Sequence, residues 1–142
     1  MDKLISYLIN YGFDHGISST LTYELPPDFP SSASSKYKKA LINMNWHNKW
    51  EVPFSFAHEL GHIINGDDGI NYYHSFTVHS KTEFEANKTA IDIILAYCRD
   101  NDIPTDNSNT LCEQFGIPFK LEYIVTLKLR NIMQIPETKY VN

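Results

Sequence analysis

Two histidines four residues apart, with a glutamate directly after the first, give the strongest chemical signal in this chain: His58-Glu59-Leu60-Gly61-His62. On a helix, residues i and i+4 stand one above the other. Both imidazoles can then reach one zinc ion at about 2.0–2.1 Å from each nitrogen. Glu59 sits about 100° further round the helix, beside the ion rather than on it. There it can hold a water molecule and take its proton, the general-base role of the H-E-x-x-H pattern. A catalytic zinc takes three protein ligands and keeps one position open, so another donor is required. The nearest suitable acids are Glu83 and Glu85, 21 and 23 residues beyond His62. Ala57 and Gly61 are four apart, as are Ala86 and Ala90, and such small ridges let two helices cross closely. Glu85 adjoins the second ridge and is the expected ligand. Glu83 is the alternative, and it shares a face with Asn87, which can hydrogen-bond a ligand from behind.

Other reactive side chains give weaker signals. Tyr72, Tyr73, His74 and His79 lie between the two motifs and are candidates to donate a hydrogen bond to the oxyanion of a tetrahedral intermediate. His15 and His47 sit beside turn or strand-end residues and are expected to be bystanders. Trp46 and Trp50 flank the entry to the histidine helix and suit packing at a core or rim. Asp67-Asp68-Gly69 fails the spacing of a calcium loop, and Ser55 has no general base at a suggestive distance along the chain. Cys98 and Cys112 lack C-x-x-C spacing, which argues for two reduced, semi-buried thiols.

These residues need elements to position them. Leu4, Ile5, Leu8 and Ile9 recur at helical spacing, with Gly12 as a stop. Thr20 to Leu25 alternates as a strand does, and so does Ala40 to Asn45. Between them, residues 26–38 read as a mobile loop rich in proline and serine. Pro53 suits the first turn of a helix that ends at Asn65-Gly66. Phe56, Leu60 and Ile64 form its apolar stripe, joined by Ile63, and the two histidines stand off it. A long helix runs from Thr82, with Glu85 at capping-box spacing, to about Tyr97. It carries Phe84, Ala90, Ile91, Ile94 and Leu95 broadly on one side. After a polar break at Asn101 to Asn109, short helical pieces follow, the last with Leu121, Ile124, Val125, Leu129 and Ile132. Helix, then strands, then helices makes the fold class α+β, with a small sheet, a histidine-bearing helix and a long ligand-bearing helix.

Composition narrows the function further. The 142 residues are 42% hydrophobic and 20% charged, which suits one globular domain over 1–142. The formal net charge of −5, with no basic recognition helix, disfavours direct nucleic-acid binding. No apolar run is long enough for a signal peptide or membrane span, so a cytoplasmic location is expected.

The H-E-L-G-H motif followed by Glu83-Phe84-Glu85-Ala86-Asn87 and a long apolar helix resembles the ImmA/IrrE family of metallopeptidases. Those proteins occur in bacteria, prophages and mobile elements. The resemblance covers residues 20 to 130. It implies a minimal zincin-like fold and a gluzincin-type site, with His58, His62 and Glu85 as zinc ligands and Glu59 as base. It also implies a protein substrate, a DNA-binding helix-turn-helix repressor, whose cleavage derepresses a mobile element or stress response. The helix ending Ile94-Leu95-Ala96-Tyr97 departs from the family's usual Leu-Met-Pro continuation. The rival expectation is a non-catalytic protein-binding regulatory domain in which zinc only holds two helices together.

Overall fold

The computed structural model describes residues 2–67 and 76–141, the side chains of 76–79 and 132–141 excepted. Helix α1 (Asp2–Asp14) leads into β1 (Ser18–Thr22), β2 (Ser32–Ser34) and β3 (Lys39–Asn43). A 3-10 turn at Lys49–Glu51 then enters α2 (Val52–Ile64). Helices α3 (Phe76–Asp100) and α4 (Ser108–Phe115), a 3-10 turn at Phe119–Leu121 and α5 (Glu122–Val141) complete the chain. The class is α+β, as expected from the order of the patterns.

The sheet is mixed, in the order β1-β3-β2. β1 runs parallel to β3, with Ser18 opposite Lys39 and Thr22 opposite Asn43. β2 pairs antiparallel with β3, Ala33 opposite Ala40. The strand expected from Ala40 is therefore the central one. β2 itself lies inside the 26–38 stretch that the sequence presents as a loop. Asn43 explains much of the order there. Its buried side-chain amide donates to the carbonyls of Pro26 (2.8 Å) and Phe29 (2.7 Å), and its oxygen accepts from the Asn45 amide (2.8 Å). The Asn43 backbone amide donates to Ser31 Oγ at 2.9 Å. One asparagine thus satisfies polar groups that burial would otherwise leave costly.

Pro53 occupies the first turn of α2, where its missing N–H costs nothing, and Asn48 caps the preceding 3-10 turn by accepting from the Trp50 amide. Phe56, Leu60 and Ile63 are the buried residues of the expected stripe; Ile64 turns to solvent. They meet Ala90, Ile91 and Ile94 of α3 and Leu8 of α1 in a single core. Gly12 does not end α1. It lies within the helix, where an added Cβ would come 3.0 Å from Leu60, and the positive φ falls at Gly16. α3 begins at Phe76, six residues before the expected start, so Thr82 and Glu85 are helix interior and not a capping box. Phe84, expected on the buried side, is 39% exposed.

Candidate metal centre

α2 and α3 cross at the small residues. Ala57, Ala86 and Ala90 are fully buried. A Cβ on Gly61 would lie 2.8 Å from the Ala86 carbonyl oxygen and 3.3 Å from its Cα. At that separation, side chains one turn away on each helix converge.

Three of them form a compact triangle. His58 Nε2 and His62 Nε2 are 3.0 Å apart, and Glu83 Oε2 lies 2.8 Å from the first and 2.7 Å from the second. Together, His58, His62 and Glu83 form the group able to hold a metal ion among the described residues. The acid that meets the two histidines is Glu83, the alternative that the sequence offered, and not the expected Glu85. The reason is helical phase. Glu83 precedes Asn87 by four residues and Ala86 by three, on the face that packs against Gly61. Glu85 points away, 44% exposed, with its carboxylate 3.7 Å from Lys88 Nζ.

Both imidazoles are held from behind. His58 Nδ1 lies 2.8 Å from Asn87 Oδ1, the partner that the shared face of Glu83 and Asn87 suggested. His62 Nδ1 lies 2.8 Å from Asp67 Oδ2, a contact that the sequence reading did not anticipate. Each ring therefore presents Nε2 toward the same carboxylate oxygen. Glu83 Oε2 can accept from both Nε2–H groups, and a cation centred in the triangle would take the place of those two protons. The donor set of two imidazoles and a carboxylate suits zinc.

Charge is concentrated and partly buried here. Burial lowers the His62 pKa, but hydrogen bonds to Glu83 and Asp67 outweigh it and raise the value to about 9. Burial works the opposite way on Glu83, yet its bonds to the two histidines hold its carboxyl well below the ordinary carboxylate range. Glu59 is 9% exposed. Burial pushes its carboxyl up to about 7, partly offset by His58 and His62.

A cleft of about 250 Å³ runs up to His58 and Glu59. Trp46, Phe54, Pro30 and Pro118 form its apolar walls. Trp46 is fixed by donating its indole N–H to Glu51 Oε1 at 2.9 Å. Trp50 is 53% exposed and donates to the Glu113 carbonyl.

The remaining reactive residues lie elsewhere. His15 Nδ1 is 2.8 Å from the Tyr11 carbonyl, and His47 Nδ1 is 3.1 Å from that of Pro27. Tyr72, Tyr73 and His74 lie outside the described residues, as does the side chain of His79. Cys98 and Cys112 are buried free thiols. No helix among the described residues is long and apolar enough to cross a membrane.

No family model, curated protein or solved structure matches this chain.

Proposed function

We propose that this protein is a zinc-dependent endopeptidase with a minimal zincin-like fold. The observation that carries the reading is a buried glutamate, Glu59, beside a three-donor group and at the head of an open cleft. A purely structural ion has no use for such a base. The three donors found among the described residues also match the number in catalytic sites, whereas structural sites are closed by four.

His58, His62 and Glu83 hold the ion in this reading, with Asn87 orienting His58. A divalent ion bound there supplies Lewis acidity, polarising the scissile carbonyl and making the attacking water more acidic. Glu59 takes the proton from that water and hands it to the leaving amine. The wall at Pro30 and Ser31 leads directly into β2, and among the described residues β2 pairs with β3 alone. Its outer edge is suited to pair with an extended substrate backbone. β3 has no such free edge, because it has neighbours on both sides.

The substrate class comes from the resemblance of His58-Glu59-Leu60-Gly61-His62 and Glu83-Phe84-Glu85-Ala86-Asn87 to the ImmA/IrrE motifs. It is a DNA-binding repressor of helix-turn-helix type, the product of its cleavage being derepression. Co-expression with candidate repressors, read by intact mass, tests this. Zinc-loaded wild type should cut one of them at a defined bond. Glu59→Gln should bind zinc normally and cut nothing. Cleavage that survives Glu59→Gln removes the mechanism.

A further inference from the structure

The contact between Asp67 and His62 arises from how α2 ends. After Ile64 the chain passes Asn65 and then Gly66 at φ +75°. The Gly66 amide donates to the Ile63 carbonyl (3.0 Å) and the Asp67 amide to the His62 carbonyl (2.9 Å). This pair of bonds is the Schellman turn, which reverses the chain over the last helical turn. The residue just past the glycine is thereby carried back to the level of the residue five before it. Here that residue is the histidine of the metal centre, so the carboxylate of Asp67 lands on its Nδ1.

Two further contacts hold the aspartate there. Ser35, immediately after β2, donates its hydroxyl to the Asp67 carbonyl and lies 3.4 Å from the His62 carbonyl. The Asp67 side chain is 16% exposed and that of His62 is 6% exposed, so water competes weakly for the bond.

We propose that Asp67 is a positioning residue of the metal centre. It fixes the ring plane of His62 and holds the proton on Nδ1, so that Nε2 is the nitrogen offered to the ion. Ser35 anchors the turn that carries it, tying the ligand to the end of β2. The inference rests on the metal-centre reading but not on proteolysis, and its test needs no substrate.

Zinc affinity is measured by competition with a chromophoric chelator for wild type, Asp67→Ala, Asp67→Asn and Ser35→Ala. Loss of an outer partner of a ligating histidine typically costs about 10–100-fold in metal affinity, and Asp67→Ala should fall in that range. Asp67→Asn keeps an oxygen that accepts from Nδ1–H while losing the charge, so it should recover part of the loss. Ser35→Ala should weaken binding less than Asp67→Ala. Long-range proton–nitrogen spectra of the zinc-loaded wild type should show His62 protonated at Nδ1, a readout that holds even if a variant fails to fold. Affinity of a folded Asp67→Ala within twofold of wild type overturns the proposal, as does a proton on Nε2 of His62. A wild type that binds no zinc overturns the metal reading and this inference together. Tight zinc binding with no cleavage of any repressor removes the protease reading alone.

Discussion

Glu83 and Glu85 are two residues apart, yet the helix sends their carboxylates in different directions. That difference can be measured directly. Glu83→Ala should reduce zinc affinity by more than the roughly 10–100-fold that loss of an outer partner costs. Glu85→Ala, which loses an exposed ion pair with Lys88, should leave affinity unchanged and stability within about 0.5 kcal/mol. Equal losses in the two variants would contradict the assignment of the ligand. Asn87, four residues beyond Glu83, marks the helix face that meets the histidines, whereas adjacency to the Ala86–Ala90 ridge, which favoured Glu85, does not fix where a carboxylate points. Asp67 was harder to see, because its role depends on a turn that reverses the chain. A second residue-scale expectation concerns Cys98. Burial raises its thiol from an ordinary value near 9 to about 11. At pH 8.5 iodoacetamide should therefore leave Cys98 unlabelled in the native protein and modify it once denaturant unfolds the chain. The sign for stability follows from the same shift. The folded state retains the proton longer than the unfolded one, so stability should decline as pH climbs from about 9 through about 11. Rapid native labelling at pH 8.5 would show that the thiol is not buried.

At the scale of elements, the crossing of α2 on α3 decides whether a metal centre exists at all. Gly61→Ala places a methyl against the Ala86 backbone at 2.8 Å, where no flexible side chain can yield. Overpacking costs about 1–3 kcal/mol, against a gain of up to about 1 kcal/mol from helix propensity. The expected result is a net loss of about 1–2 kcal/mol in urea unfolding, together with weaker zinc binding, because α3 carries Glu83. A variant as stable as wild type would mean a looser crossing. The helices themselves were readable because their apolar residues repeat with a strong helical period, as in Phe56-Leu60-Ile63 and Ala90-Ile91-Ile94. Their ends were less readable. The first residues of α3, Phe76-Thr77-Val78-His79-Ser80-Lys81, have no strong period, and Thr82 with Glu85 imitated a cap inside the helix. β2 left almost no trace, since Ser32-Ala33-Ser34 is too short and too polar to alternate convincingly. It exists because β3 offers it a partner and Asn43 fastens the chain that leads to it.

Across the whole molecule, an ion held by His58, His62 and Glu83 would join α2 to α3 only while the chain is folded. An ion that binds the folded state and not the unfolded one stabilises by mass action, by about 2.7 kcal/mol at a free concentration about a hundred times its dissociation constant. Its removal by a chelator should then lower the melting temperature by about 10 °C for a domain of this size. A fall of less than about 2 °C would argue that no ion bridges the two helices in the folded state. The bonds made by Asn43 bear on the cleft in a different way. They hold Pro26, Phe29 and Ser31 to the sheet, so the wall at Pro30 and Ser31 has its shape before any chain enters. Ordering a free segment on binding costs roughly 1–2 kcal/mol of backbone entropy per residue, and here that cost was met when the protein folded. Affinity at this cleft should then depend on the stiffness of the incoming peptide: a segment already extended should bind more tightly than a flexible one of the same side chains.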